Sequence, residues 1–304
     1  MRDPYEFKPE ETDKITARFG EPFYAKISSD LGTYADLWSL TSLQLIPSYS
    51  ANIVFRCHSA RHGRAVLKIG NPAWGGIAAE YLALSEYKGR RFCQVFEADI
   101  ANQVMLEACV EPGIPLRDEP VLENRLTVFS TLYEGLHIAP DESERYPTYI
   151  GWVRRITAYM STRTDFVELY RHMSKAEEIC LSVAAAYGRQ LLLHGDFHHD
   201  NILQGSDGNY VLIDPKGVIG DPVFDVPRFI LNEFDDDLTP RTGDHINAVI
   251  GSLEAKLDIP QRIIRQCLYV ETTMGMCWSV EDGAAPEELP KLLRTVEFAE
   301  SLLA

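Results

Sequence analysis

The chain has 304 residues, 45% hydrophobic, 10% aromatic and 24% charged, a globular composition that excludes collagen-like, low-complexity and disordered classes. Lys and Arg number 29 against 45 Asp and Glu, a formal net charge of −16, so the chain would repel a polyphosphate backbone and no nucleic-acid partner is expected. Six cysteines without C-x-x-C spacing exclude a zinc ribbon or dithiol redox motif and read as core thiols of a reduced compartment.

The N-terminus carries no apolar h-region, and no later stretch offers about 18–20 uninterrupted apolar residues. The expectation is a cytoplasmic protein with no membrane partner. Short strands are predicted over 43–47, 51–57 and 64–69, with a turn at His62-Gly63. After the turn cluster at 71–76, Ile77, Tyr81, Leu84 and Tyr87 recur at helical spacing, which predicts a helix over 77–88 ended by Gly89. Two further strands are expected over 92–98 and 103–110. The break Glu111-Pro112-Gly113-Ile114-Pro115 then divides a small sheet carrying one helix, residues 1–110, from a mainly helical part, residues 111–304. In that second part, periodicity predicts helices over 150–173 and 176–190. Near the C-terminus Ile263, Cys267, Val270, Met274 and Cys277 form one core stripe, and Leu289, Leu292, Leu293, Val296 and Leu303 form another.

Between two apolar runs lies His194-Gly195-Asp196-Phe197-His198-His199-Asp200-Asn201. Polar residues this dense belong on a functional loop, because each buried polar group without a partner costs about 1–3 kcal/mol. Asp196 precedes Asn201 by five residues, and Asp214 follows at the end of a predicted hairpin (201–204 and 210–213). An Asp-x-x-x-x-Asn segment is the pattern of kinase catalytic loops. On that pattern Asp196 accepts or orients the proton of an attacking hydroxyl, while Asn201 and Asp214 supply the hard oxygen ligands that suit Mg²⁺ between ATP phosphates. Upstream, Ala65-Val66-Leu67-Lys68-Ile69 places a lysine in an apolar strand, where it needs an anionic partner. Glu80, on the following helix, is the candidate, with Glu86 in reserve.

These residues resemble the aminoglycoside phosphotransferase branch of the protein-kinase-like fold, and within it the streptomycin 6-phosphotransferase and hydroxyurea phosphotransferase subgroup. The loop resembles that branch's H-G-D-x-H-x-x-N, and the segment 213–225 is similar to the subgroup's I-D-P-K-G-x-x-G-D-P-x-x-D. The segment 277–283 loosely matches its C-terminal tryptophan segment. The resemblance implies an α+β bilobal fold: a small N-terminal antiparallel sheet lobe with one helix, a larger helical C-terminal lobe, and ATP bound in the cleft between them. It further implies Asp196 as catalytic base, Asn201 and Asp214 as Mg²⁺ ligands, and Lys68 as phosphate contact paired with Glu80. Glu107, Cys109 and Val110 would lie on the hinge that hydrogen-bonds adenine through backbone groups. His194 and His198 would shape the loop. The segment 47–54, where a Gly-rich phosphate loop would stand, contains no glycine; Ser50 and Asn52 would contribute hydroxyl and amide contacts instead.

The expected reaction is phosphoryl transfer from ATP to a hydroxyl of a small molecule, streptomycin-like or hydroxyurea, with resistance as its consequence. Choline, homoserine or a fructosamine are alternative acceptors. Two other readings of the residues stand beside it: a hydrolase with two transition metals on the His/Asp cluster, and a kinase-like scaffold that binds without transferring phosphate. Glu233, Asp235, Asp236, Asp237, Glu281 and Asp282 would either line an acidic acceptor side or form solvated surface. Asp225 would bind substrate or brace the loop.

Overall fold

The computed structural model describes residues 5–49, 51–72, 76–234 and 237–303. Two helices come first, α1 (Pro9–Phe19) and α2 (Glu21–Leu37), an addition to the single helix expected beside the sheet. Pro9 opens α1, where a missing N–H is harmless, and Glu11 accepts the Lys8 backbone N–H at 2.9 Å. Then follow β1 (Leu40–Ile46), β2 (Asn52–Ser59), β3 (Gly63–Gly70), α3 (Gly76–Tyr87), β4 (Val95–Asp99), β5 (Val104–Ala108) and β6 (Pro112–Pro115). The remainder comprises α4 (Leu122–Tyr133), α5 (Tyr149–Ser161), α6 (Val167–Ala186), β7 (Leu191–Leu193), β8 (Ile202–Gly205), β9 (Tyr210–Leu212), β10 (Val218–Gly220), α7 (Val226–Leu231), α8 (Pro240–Leu257), α9 (Gln261–Glu281) and α10 (Leu289–Ser301).

The chain divides into two compact units, one made of Met1–Ile114 and Leu203–Lys216, the other of Pro115–Ile202 and Gly217–Ala304. In the first, an antiparallel sheet has the order β1-β2-β3-β5-β4, with burial alternating most clearly in β2 and register shifts in the β1–β2 and β4–β5 pairs. Ile53 and Phe55 of β2, with Leu67 and Ile69 of β3, turn toward Ile15, Ile27 and Leu31 of α1 and α2, and all of them are buried. Lys68 therefore points to the opposite face, paired in register with Val54 on one side and Met105 on the other. The hairpin β8–β9 belongs to this unit: the Leu212 carbonyl accepts the Cys93 N–H at 3.1 Å, which brings Asp214 to the unit that holds Lys68.

The second unit is helical around α9, which buries nearly every residue from Ile263 to Met274. Two helix boundaries differ from expectation, and one of them is the end of α6 at Ala186, short of the predicted 190. The helix break falls at 162–166, inside the predicted 150–173 helix, and α6 runs unbroken through 173–176. Thr162 and Thr164 are poor helix formers, and Arg163 closes a local bidentate pair with Asp165 at 3.0 and 2.8 Å that holds the chain in a turn. A two-stranded β10-β7 ladder carries the polar loop, with Leu193 opposite Val218.

Candidate active site

Lys68 lies on the sheet face opposite the main core and is only 4% exposed. Its Nζ donates to Glu80 Oε1 at 2.5 Å and Asp214 Oδ1 at 2.7 Å, and Glu107 Oε1 stands 3.0 Å away. All three ammonium hydrogens thus face carboxylates. Glu80 reaches it because it sits in the buried stripe of α3 with Ile77, Leu84 and Tyr87, whereas Glu86 is not part of that stripe. Burial alone would push the Lys68 ammonium down, but Asp214, Glu107 and Glu80 outweigh it and its pKa is raised well above the ordinary value. Burial raises Glu80 and Glu107 toward their protonated forms against the pull of Lys68. Asp214, with 31% of its side chain exposed, is driven down by Lys68 and Lys216 against its own desolvation, so it stays ionised.

The side chain of Glu107 in this cluster is a finding the sequence reading missed, since it assigned the residue only a backbone role. The available signal was a lone carboxylate in the apolar run Val104-Met105-Leu106, at a position in register with Val66, two residues from Lys68. Cys109 and Val110 line a recess of about 520 Å³ with Gln44, Arg56 and Arg64. Asn52 opens β2 with its Oδ1 against Gly70, where an added Cβ would come within 3.1 Å of it and within 2.6 Å of Ile77. Ser50 lies outside the described residues.

In the second unit the loop after β7 is held mainly through its backbone. Asp225, 1% exposed, accepts the His194 N–H at 2.8 Å on Oδ2 and the Gly195 N–H at 2.8 Å on Oδ1, while His137 Nε2 lies 2.9 Å from Oδ2. Gly195 adopts φ +76°, a left-handed conformation that suits glycine and lets both amides reach one carboxylate. Asp225 therefore braces the loop. The Asp196 carbonyl accepts from the His198 N–H at 3.0 Å and from Asn201 Nδ2 at 2.9 Å. With its amide nitrogen committed, Asn201 has Oδ1 as its remaining donor atom for a ligand.

The Asp196 carboxylate is 17% exposed, with Arg228 Nε 3.5 Å and His198 Nε2 3.6 Å from Oδ1. Behind Arg228 stands Glu271, 2.8 Å from its Nε and itself accepting from Tyr149 Oη at 2.5 Å. Burial raises the Glu271 carboxyl, and Arg228 and the Tyr149 hydroxyl counter it. These partners come from sites far apart in the chain, and no local pattern announces them.

The neighbouring histidines do not converge on a shared ion. His194 is fully buried and stacks on Phe197 with planes 6° apart, His198 caps the turn by accepting the Asp200 N–H, and His199 lies 2.8 Å from Glu233. Their divergence removes the basis for the two-metal hydrolase reading. Glu233, considered for an acidic acceptor side, is spent internally: Arg125 grips both oxygens at 2.8 and 2.7 Å and His245 lies 3.1 Å away. Glu281 is likewise paired with Arg155. Asp235 and Asp236 lie outside the described residues.

In the first unit the ionised Asp214 carboxylate and the Lys68 ammonium suit Mg²⁺ and nucleotide phosphate, and in the second unit Asn201 offers an amide oxygen of the same hard character. A five-stranded antiparallel sheet with a buried Lys–Glu pair, followed by a helical unit bearing an Asp-x-x-x-x-Asn loop, defines the class of kinase-like phosphotransferases. The chain belongs to the aminoglycoside/hydroxyurea antibiotic resistance kinase family, whose model matches residues 38–283.

Among curated proteins it is 34% identical to a streptomycin 3''-kinase of Klebsiella pneumoniae over 124 residues, 36% of this chain and 45% of that protein. It is 33% identical to a hydroxyurea phosphotransferase of Kitasatospora aureofaciens over 238 residues, 74% of this chain and 64% of that protein. The chain thus spans less than two thirds of either relative. Among solved structures, choline kinase LicA from Streptococcus pneumoniae superposes with a TM-score of 0.66 at 14% identity, covering 92% of this chain and 99% of that one. An aminoglycoside phosphotransferase APH(4)-Ia in complex with ADP and hygromycin B gives 0.58 at 13% identity, covering 90% and 97%. The fold is therefore the kinase-like α+β fold of these enzymes. Among the described residues no helix is long and apolar enough to cross a membrane.

Proposed function

We propose that this protein transfers the γ-phosphoryl group of ATP to a hydroxyl of a small molecule. The observation that carries the reading is Asp196: a partly exposed carboxylate on a loop whose backbone is pinned by the buried Asp225. A group held this way can meet a substrate hydroxyl without rearrangement, and positioning is the main resource of phosphoryl-transfer catalysis.

In the proposed step the acceptor oxygen forms a bond to the γ-phosphorus as the bridging bond to the β-phosphate breaks. The hydroxyl proton passes to Asp196, and ADP leaves with the bridging oxygen. Lys68 would hold the phosphates, its reach set by Glu80, and phosphate oxygens would take the N–H now given to Asp214. Asn201 Oδ1 and the Asp214 carboxylate would hold Mg²⁺, which when bound neutralises charge on the phosphates. The Val110 N–H, which donates to no backbone carbonyl among the described residues, would meet the adenine edge. In this reading residues 1–110 serve the nucleotide and residues 111–304 serve catalysis and the acceptor.

The acceptors named for the relatives, streptomycin and hydroxyurea, are the first to try, and protection of a susceptible host would follow from phosphorylation of either. The test is ATP consumption with Mg²⁺ against streptomycin, other aminoglycosides, hydroxyurea, choline, homoserine and a fructosamine, with Asp196→Ala as control. Stimulation by one acceptor that the variant loses supports the reading. Failure to bind ATP, or turnover that Asp196→Ala leaves unchanged, overturns it in favour of the binding scaffold that the glycine-free segment 47–54 would suit.

A further inference from the structure

The Lys68 cluster is poorly suited to neutralise a moving phosphoryl group unaided. One ammonium faces three carboxylates, Glu80, Glu107 and Asp214, at 2.5, 3.0 and 2.7 Å, and with Lys68 only 4% exposed it is fixed where it stands. Much of its charge is spent within the protein, whereas phosphoryl transfer calls for positive charge on the oxygens of the group in transit.

The same Asp214 carboxylate carries a second lysine of a different kind. Lys216 sets its Nζ 3.5 Å from Asp214 Oδ2, while Lys68 takes Oδ1, and 41% of the Lys216 side chain is exposed. At that distance the contact is one of charge rather than a close hydrogen bond, and the ammonium rides on a flexible four-carbon stem. Of the two lysines, Lys68 does more to hold Asp214 ionised. The backbone presenting the pair is itself unusual. Asp214 has φ +62°, a left-handed conformation rare for a residue with a side chain, and Gly217 follows at φ +61°, with the buried Pro215 between them. Such a conformation persists only where the surroundings impose it, and it gathers where a functional group is being aimed. Here it lets one carboxylate meet Lys68 with one oxygen and Lys216 with the other.

We infer that Lys216 is a further catalytic residue, its ammonium leaving Asp214 for the oxygens of the γ-phosphoryl group and neutralising charge there while the group is transferred. This role rests on the phosphotransfer reading, and within it the two lysines divide the work. Lys68, buried and held by Glu80 and Glu107, anchors the nucleotide, and Lys216 follows the group that moves. The acceptor oxygen bonds the γ-phosphorus, the bond from that phosphorus to the bridging oxygen of ADP breaks, and the hydroxyl proton goes to Asp196. Lys216 gives up no proton.

The test measures binding of ADP and of the non-hydrolysable β,γ-imido analogue of ATP, each with Mg²⁺, by calorimetry to the full chain and to Lys216→Ala. The variant is expected to keep its ADP affinity and to bind the analogue about tenfold more weakly, as for loss of one charge-assisted contact to the terminal phosphate. Lys216→Arg, which keeps the charge, is expected to restore most of the analogue affinity. With whichever acceptor stimulates turnover, kcat of Lys216→Ala should fall roughly 10²–10³-fold, as for removal of a group that stabilises transition-state charge, while the acceptor KM holds. Analogue affinity that Lys216→Ala leaves unchanged overturns the inference. So does equal weakening of both nucleotides, which would make Lys216 a counterion of Asp214 and nothing more. A native chain that binds neither nucleotide overturns this role and the phosphotransfer reading together. That reading fails separately if the selective loss of analogue affinity persists while no acceptor stimulates an ATP turnover that depends on Asp196.

Discussion

The Lys68 cluster and the Asp196 loop hold their charges in opposite ways. Around Lys68 one ammonium is buried among three carboxylates, so the groups expected to touch nucleotide are also those that hold the cluster together. In the Asp196 loop the structural task falls to a different residue: Asp225 takes the backbone amides, and the Asp196 carboxylate stays partly exposed with Arg228 and His198 3.5 and 3.6 Å away. On the proposed roles, the difference teaches that stability and chemistry share atoms in one unit and are divided between atoms in the other.

The sharpest test of that division is Asp196→Asn. Turnover should fall about 10²–10⁴-fold, as expected for loss of a positioned acid–base group, while stability in urea changes by less than ~1 kcal/mol; a coincident loss of stability would break the comparison. Lys68→Met should fail on both counts. Removing the ammonium strands three carboxylates, a cost of about 3–5 kcal/mol for breaking a buried pair, and nucleotide binding measured by calorimetry should disappear with it. Asp225→Asn probes the brace itself: the amide can accept only one of the two loop N–H groups well, so about 1–3 kcal/mol of stability should be lost and turnover should fall with ATP affinity kept.

A milder prediction concerns pH. Burial would raise the Glu233 carboxyl, but His199 and Arg125 hold it well below its ordinary value. A depressed carboxylate contributes stability above its unfolded pKa of about 4.3, and that contribution is lost as pH falls toward the folded value. The urea-measured stability gap between the native chain and Glu233→Gln should thus be widest near neutrality and shrink below about pH 4. The smallest effect is expected from Tyr149→Phe, which removes one hydrogen bond to Glu271 at about 0.5–1.5 kcal/mol. It would sharpen the comparison if turnover shifts more than stability, since Arg228 stands between Glu271 and Asp196.

Much of this architecture is legible in the residues because it obeys short periods. Alternation in Ile53–Cys57 and Ala65–Ile69 marks strands with one buried face, and the placement of Lys68 on the other face follows from the same period of two. The density of His194 to Asn201 marks the loop. The α5–α6 break was misplaced because the apolar stripe continues across 162–166, where Phe166 is itself buried, and only the Arg163–Asp165 turn interrupts the helix. Helices α1 and α2 carry no signal tied to the chemistry. The Tyr149–Glu271–Arg228 chain joins residues up to 122 positions apart, beyond any spacing rule.

Helices α1 and α2 also separate kinship from foldability. The family match begins at residue 38, and both helices lie before it. Yet Ile15, Ile27, Leu31 and Tyr34 cover Phe55, Leu67 and Leu106, while Tyr5 and Phe7 set their rings 5.1 and 6.1 Å from Phe55. A chain begun at residue 38 would keep each residue assigned here to the chemistry and bare one whole side of its sheet. That side would become a greasy plane open to other copies, and such a fragment should clump before its activity could be assayed. The portion that makes this molecule a relative of the resistance kinases is therefore smaller than the portion that completes the core of its first unit.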